Sequence, residues 1–144
     1  MRALPAPFVH ELRVRYGECD PQGIVFNANY LLYFDVVFTE LWRASVGAWQ
    51  EMVSRGVDLV VAEATIGFRA PAHFDDELAL QAQVIRLGRT SITTAIEVVR
   101  GKELIVSGQL RHVCVATDTW SKTEVPDWVR LGLASYAGDG ANAG

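Results

Sequence analysis

The chain has 144 residues, half of them hydrophobic and about a fifth charged, with a net charge of −4. These values suit one globular domain with its own core and exclude a long disordered chain. The acidic balance gives no basic footprint for nucleic acid. No run approaches the ~20 apolar residues of a membrane span, and residues 1–7 lack the apolar stretch of a signal peptide.

Residues 8–16 alternate. His10, Leu12, Val14 and Tyr16 share one parity while Glu11, Arg13 and Arg15 share the other, which predicts a strand with one buried face. Asp20-Pro21-Gln22-Gly23 reads as a tight turn, with Asp at the first position, Pro presetting φ at the second and Gly at the fourth. The period then changes. Tyr30, Phe34, Val37, Leu41 and Ser45 fall on one stripe, with Leu31, Phe38 and Trp42 beside it. Residues 28–45 are therefore expected to form a helix about 27 Å long with a broad apolar face. Asn27 or Asn29 is expected to cap it through a side-chain oxygen. With Asn27 as the cap, Phe26 and Leu31 take the two positions of a hydrophobic staple. Gly47 ends the helix, and a short helix over residues 48–55 stops at Gly56.

Four strands are expected next. Residues 57–69 are rich in β-branched side chains and stop at Pro71. Residues 77–87, 90–100 and 103–117 are separated by Gly88-Arg89 and Gly101-Lys102, the spacing of a meander of hairpins. Residues 127–136 are expected to form a short terminal helix, closing a single domain over 1–136. The small and polar residues 137–144 are expected to be a disordered tail. The economical packing of these parts is an α+β arrangement, one antiparallel five-stranded sheet curled around a long central helix. The open edges of such a sheet favour self-association.

For Asp20, local pattern leaves two readings open. Asp at the head of an Asp-Pro-x-Gly turn is common for hydrogen-bonding reasons alone. The turn also delivers the chain to the helix start, where backbone N–H groups lack intrahelical partners and carry partial positive charge. A carbonyl aimed at them is polarised as in an oxyanion hole, and a nearby carboxylate can attack that carbonyl or activate a water. A thioester suits this arrangement because its thiolate leaves readily.

Tyr16-Gly-Glu-Cys-Asp20-Pro-Gln-Gly23-Ile-Val-Phe-Asn27-Ala-Asn-Tyr30, followed by the apolar helix, closely resembles the 4-hydroxybenzoyl-CoA thioesterase family. The resemblance continues through Phe68-Arg-Ala-Pro71-Ala-His-Phe-Asp75-Asp76 and Arg86-Leu-Gly-Arg89-Thr-Ser91, covering about residues 8–118. It implies the hotdog fold and a thioester hydrolase that cleaves acyl-CoA to acid and coenzyme A. It further implies a homodimer or homotetramer whose pocket lies between subunits. No cofactor is implied, coenzyme A being part of substrate and product. Asp20 matches the catalytic aspartate, as nucleophile or general base. Gly23 matches the loop glycine, and the backbone N–H at Asn27 matches the donor to the thioester oxygen. Tyr16 accompanies the aspartate in the branch associated with the Tol–Pal envelope system. The histidine which that branch carries at the Asn27 position is absent here, which argues against an acid–base histidine.

The resemblance also places Arg89 near the nucleotide end of coenzyme A, where a guanidinium matches phosphate geometry. Its other reading is a solvated hairpin arginine. Thr90 and Ser91 are candidate donors to pantetheine or phosphate, with Arg86 and Lys102 as weaker cations. Glu63, in a mostly apolar strand, is read either as an edge charge or as a contact to the paired subunit's site. Asp35 and Glu40 are taken as solvent or interface charges. Trp42, Trp49, Trp120 and Trp128 are read as packing, with Trp49 or Phe26 as candidate acyl-pocket linings. His10, His73 and His112 show no ligand spacing, so no metal is expected. No Gly-x-Ser-x-Gly elbow supports a serine mechanism. Cys19 and Cys114 are too few for a disulfide framework and are read as reduced thiols of a cytoplasmic protein. Two alternatives stand beside hydrolysis: a non-catalytic acyl-CoA-binding dimer, and an acyl-thioester hydratase or dehydratase.

Overall fold

The computed structural model describes residues 6–138 and Ala141. Its strands are β1 (Phe8–Arg13), β2 (Val57–Phe68), β3 (Glu77–Leu87), β4 (Ser91–Arg100) and β5 (Glu103–Ala116). Its helices are α1 (Asn29–Ser45), α2 (Trp49–Ser54) and α3 (Asp127–Leu133), with a 3-10 turn over Ala134–Tyr136. The strands form one antiparallel sheet in the order β1-β3-β4-β5-β2. The middle three are the expected meander. The outer two arrive from distant parts of the chain, and α1 is inserted between them in sequence.

The sheet wraps α1. Tyr30, Tyr33, Phe34, Val37, Phe38, Leu41 and Trp42 are buried on the helix, at roughly 1.5–3 kcal/mol for each large apolar side chain removed from water. They meet the inward parity of the sheet: Leu78, Leu80, Ala82 and Val84 on β3, Ile92, Thr94, Ile96 and Val98 on β4, Leu110, His112 and Cys114 on β5. A register shift between Val84 and Arg86 exposes Ile85 and returns Leu87 to the core. Gly108 on β5 answers a close approach. A Cβ there would lie 2.1 Å from the Thr65 carbonyl oxygen and 2.8 Å from the Phe34 ring.

Four expectations are corrected. β1 ends at Arg13, and Tyr16 opens a 3-10 turn, Tyr16–Glu18, with its side chain 79% exposed. The cap of α1 is Ala28, with no side-chain hydrogen bond, because Asn29 Nδ2 instead donates to the Glu18 carbonyl at 2.8 Å. Phe26 and Leu31 are about half exposed and form no staple. Part of the expected tail is ordered: the Leu87 amide donates to the Ala141 carbonyl, Ala137 bridges Val84, and Ala141 is buried. Residues 139–140 and 142–144 of that tail lie outside the described residues.

His112 is buried and stacks on Phe38, ring centroids 4.0 Å apart and 16° from parallel. Burial pushes its pKa down from 6.5 to about 4. The unfolded chain therefore binds the proton that the folded one refuses between these values, so stability is full above pH 6.5 and falls as pH drops toward 4. Between pH 7 and pH 4.5 the loss from this group is about 2–3 kcal/mol. Urea unfolding at the two pH values is expected to show this loss in the wild type and to lack it in His112→Phe. Equal losses in both would assign the acid sensitivity elsewhere.

Candidate active site

The site is built from the loop joining β1 to α1. The Arg15 amide donates to Glu18 Oε1 at 2.8 Å and the Arg15 guanidinium to Oε2 at 2.7 Å, closing the 3-10 turn. The next residues double back as a narrow hairpin. The Gly23 amide donates to the Asp20 carbonyl at 2.8 Å, the Asp20 amide to the Ile24 carbonyl at 2.9 Å, and Cys19 bridges Val25. Gly23 has φ +80°, the left-handed conformation that closes a type I turn into a bulged hairpin. Asp20 Oδ1 accepts from the Gln22 amide at 2.8 Å, the side-chain turn expected of Asp here. Among the described residues the carboxylate makes no other hydrogen bond.

Glu18 fastens this loop to α1. Its carbonyl accepts from the Phe26 amide at 2.9 Å and from Asn29 Nδ2, and its carboxylate accepts from the Tyr33 hydroxyl at 2.9 Å. Burial works against the Glu18 charge, but the bonds from the Arg15 side chain and backbone and from Tyr33 outweigh it and hold its pKa below the usual carboxylate value. The first helical amides, at Asn29, Tyr30 and Leu31, bond back to the carbonyls of Phe26, Asn27 and Ala28. Among the described residues the Asn27 and Ala28 amides donate to no protein acceptor.

The facing wall is the segment after β2. The Arg69 and Ala70 amides both donate to the Ile105 carbonyl, and the Val25 amide donates to the Ala72 carbonyl at 2.8 Å. Arg100 braces the segment through the Pro71 carbonyl at 3.1 Å and Asp76 Oδ2 at 2.6 Å. Between loop and wall lies a cleft of about 510 Å³ whose lining includes Asp20, Asn27, Tyr30, Phe68, Arg69 and Pro71. Tyr30 packs edge-on to Phe68 at 5.8 Å, and burial raises the pKa of its hydroxyl, keeping it neutral.

Asp20 and Asn27 are thus brought to one cleft, with Gly23 shaping the loop between them. Tyr16 is not in the lining; it packs edge-on to Phe74 at 5.7 Å on the outside of the loop. Arg89, Thr90 and Ser91 lie at the opposite end of the sheet. β3 starts beside the cleft wall and runs from Glu77 to Leu87, about 33 Å at 3.3 Å per residue. Arg89 is exposed and pairs with Glu124 at 3.5 Å, while the Thr90 carbonyl accepts from the Cys114 amide. Glu63 is an exposed charge on the edge strand β2, 3.7 Å from Arg111. Trp49 donates to Asp58 and, partly buried, packs on Trp42 and Phe38 against the core. Phe26 does not line the cleft.

His73 bridges Ile24 but is outside the cleft lining. Cys19 and Cys114 are not bridged. Among the described residues no group of His, Cys, Asp or Glu is arranged to hold a metal, and no helix is long and apolar enough to cross a membrane. Sequence reading missed Glu18, Tyr33 and Arg69 as site residues. Glu18 stands two positions before Asp20 and Arg69 within the Phe68-to-Asp76 segment, but the Glu18 bonds to Asn29 and Tyr33 and the Arg69 backbone bond to Ile105 join residues well apart in the chain.

The profile of the thioesterase superfamily matches residues 22–107, so Asp20 lies just outside the match. The chain is 28% identical over 105 residues to the acyl-CoA thioester hydrolase YbgC of Escherichia coli, covering 72% of this chain and 78% of that protein. It is 24% identical over 137 residues to the 1,4-dihydroxy-2-naphthoyl-CoA hydrolase of Nostoc punctiforme, covering 94% and 93%. A hypothetical protein of Aquifex aeolicus superposes with TM-score 0.84 at 25% identity, covering 88% of this chain and 99% of that one. A 1,4-dihydroxy-2-naphthoyl-CoA thioesterase of Synechocystis superposes at 0.82 with 22% identity, covering 88% and 95%, and supports the hotdog fold.

Glu18→Ala is expected to leave the buried Tyr33 hydroxyl without its acceptor and to lower stability by about 1–3 kcal/mol. Tyr33→Phe, which removes the donor instead, is expected to cost less. Urea melts of both variants measure the costs, and an unchanged stability in Tyr33→Phe would show that this hydrogen bond does not hold the loop.

Proposed function

The chain belongs to the thioesterase superfamily and is a thioester hydrolase; from that premise we propose that it cleaves acyl-CoA to the free acid and coenzyme A, with Asp20 as its catalytic carboxylate. The observation that carries this reading is that Asp20 and Asn27 share one cleft at the start of α1. The thioester carbonyl oxygen would sit against the Asn27 and Ala28 amides, which have no protein acceptor among the described residues. Charge developing on that oxygen would be stabilised there. The Asp20 oxygen not engaged with Gln22 then has two balanced routes. It attacks the carbonyl carbon, expels the CoA thiolate and leaves a mixed anhydride that water hydrolyses. Alternatively it takes a proton from a water that attacks the same carbon, with the same thiolate leaving. The Asp-x-x-Gly-Ile-Val loop supports a place beside the 4-hydroxybenzoyl-CoA thioesterases, and the unbridged cysteines support a reducing, cytoplasmic setting.

The working unit in this reading is at least a homodimer. β2 is an edge strand of 12 residues with Val61 and Phe68 more than half exposed, a surface that soluble proteins cover or blunt. Antiparallel pairing of β2 with its copy joins two sheets and sets the Phe68 end of one protomer beside the Val57 end of the other. The Val57 end lies on the side of the sheet that carries Arg89, since β2 Val60 pairs with β5 Val113 and β5 Val113 with β4 Ser91. Arg89 of one protomer would thus serve the cleft of the other, where it can meet coenzyme A phosphate.

Asp20→Asn keeps an acceptor for the Gln22 amide and removes the charge. It is expected to lower kcat for acyl-CoA by about 10²–10⁴-fold with an unchanged unfolding midpoint; wild-type turnover would sink the assignment. Arg89→Ala is expected to raise KM for acyl-CoA. Mixing unfolded Asp20→Asn and Arg89→Ala chains and refolding them together should regenerate one intact site per mixed dimer and restore a wild-type KM in part of the activity. No restoration would place both residues in the same protomer's site, or remove Arg89 from it.

A further inference from the structure

Arg69 stands apart among the described arginines. Arg13, Arg15, Arg43, Arg89, Arg100 and Arg111 each meet a carboxylate. Arg55 covers the Trp128 ring, and Arg130 donates to the carbonyls of Leu87 and Gly88. Arg86 is also engaged. The Arg69 guanidinium meets no acid, carbonyl or ring among the described residues, and it lines the cleft that holds Asp20 and Asn27.

Its backbone is fixed. The Arg69 amide donates to the Ile105 carbonyl at 2.8 Å and the Ala70 amide to the same oxygen at 3.1 Å, while Arg100 holds the Pro71 carbonyl. The guanidinium lies beside Gly67, where a Cβ would make only ordinary van der Waals contact, 3.7 Å from Arg69 Nη2 and 3.8 Å from its Cζ. Arg69 also borders a groove on the sheet with Glu97 and Gln109, yet forms no ion pair with that carboxylate. The result is an exposed arginine on a braced segment that borders both the groove and the cleft, the cleft's other charged lining residue being Asp20. An unpaired guanidinium presents a planar fork of donors that fits a carboxylate or phosphate.

We propose that Arg69 is the anion-recognition residue of this cleft, binding an anionic oxygen of the thioester substrate. The inference rests on the acyl-thioester reading of the Asp20 site and adds to it a charge requirement. The anion has two sources, a phosphate of the coenzyme A moiety or a carboxylate borne by the acyl group. Asp20 and Arg69 divide the work: the carboxylate acts on the thioester carbonyl, and the guanidinium fixes the substrate's charged end.

Three substrates separate the sources in wild type, Arg69→Ala and Arg69→Lys. They are a neutral acyl-CoA, the same acyl group on N-acetylcysteamine, and a succinyl group on N-acetylcysteamine. A phosphate contact is read as an increase in KM of about tenfold for acyl-CoA in Arg69→Ala, absent with the neutral N-acetylcysteamine ester. A carboxylate contact is read as a similar loss confined to the succinyl ester. In either case Arg69→Lys recovers part of the affinity and added salt narrows the gap. Equal kinetics for all three proteins, or a uniform change across all three substrates, overturns the proposal, as does a change in sedimentation of Arg69→Ala that accounts for the loss. Calorimetric binding of coenzyme A and of a non-hydrolysable succinyl thioether keeps the two readings distinct. Arg69-dependent binding by a wild type that turns over none of the substrates would sink the hydrolase reading and keep Arg69. Turnover with Arg69-independent binding and kinetics would do the reverse.

Discussion

Burial of α1 against one curved face of the sheet is the constraint on which the remaining structure depends. Phe34, Val37, Phe38, Leu41 and Trp42 are all but fully removed from water, and the sheet supplies the matching apolar parity. The contact is tight enough to require a missing side chain at Gly108, where β5 passes between the Phe34 ring and the Thr65 carbonyl. A helix held this firmly has a fixed start. The loop that precedes it and the strand end that faces it can then be positioned to within a hydrogen bond, although neither contributes much to the core.

That positioning is done by polar bonds around Glu18 and Ala72. Glu18 ties the loop forward to Asn29 and Tyr33 and back to Arg15, while Ala72 ties Val25 across to the opposite wall. The charge on Glu18 is retained despite partial burial because three donors converge on it, the condition under which a buried carboxylate stabilises rather than costs. Asp20 itself is half claimed by the turn through Oδ1. The two readings of Asp20 are therefore compatible: one oxygen fixes the turn, and the turn fixes where the other oxygen stands.

The sheet and α1 were legible because period two and period 3.6 are properties of a single run of residues. The Gly-Arg and Gly-Lys breaks located the hairpins to within a residue. What sequence could not carry is choice among partners. Tyr16 has the parity of a buried strand residue, but the chain leaves the strand earlier. Val14 and the Asp75–Asp76 pair exchange backbone bonds, and Arg15 then folds onto Glu18. Asn29 had a good capping side chain, and a carbonyl eleven positions back claimed it. Leu31 has the apolar character of a core residue but stands about 200° around the helix from Tyr33, which lies on the buried stripe and donates to the Glu18 acceptor while Leu31 is left half exposed. Arg69 could not be singled out because its distinction is the lack of an acid beside it, which only the folded arrangement defines.

Charge decides how such a cleft meets its ligand. The chain carries −4 overall, so a polyanionic thioester approaches against the mean field, and only local cations can reverse the sign near the site. Most arginines are neutralised by their own carboxylate partners. Arg100, for instance, is consumed in bracing the cleft wall through Asp76 and Glu103. Arg89 is screened by Glu124 and stands at the far end of the protomer's sheet. Among the described residues, the arginine that lines the cleft without a carboxylate partner is Arg69, and Asp20 lines the same cleft of about 510 Å³. In the proposed reading, opposite charges lining one cleft would do more than raise affinity: they would orient an elongated substrate, since reversing it would put its anion beside Asp20. The same pair that draws the thioester in would therefore select the end at which it is cut.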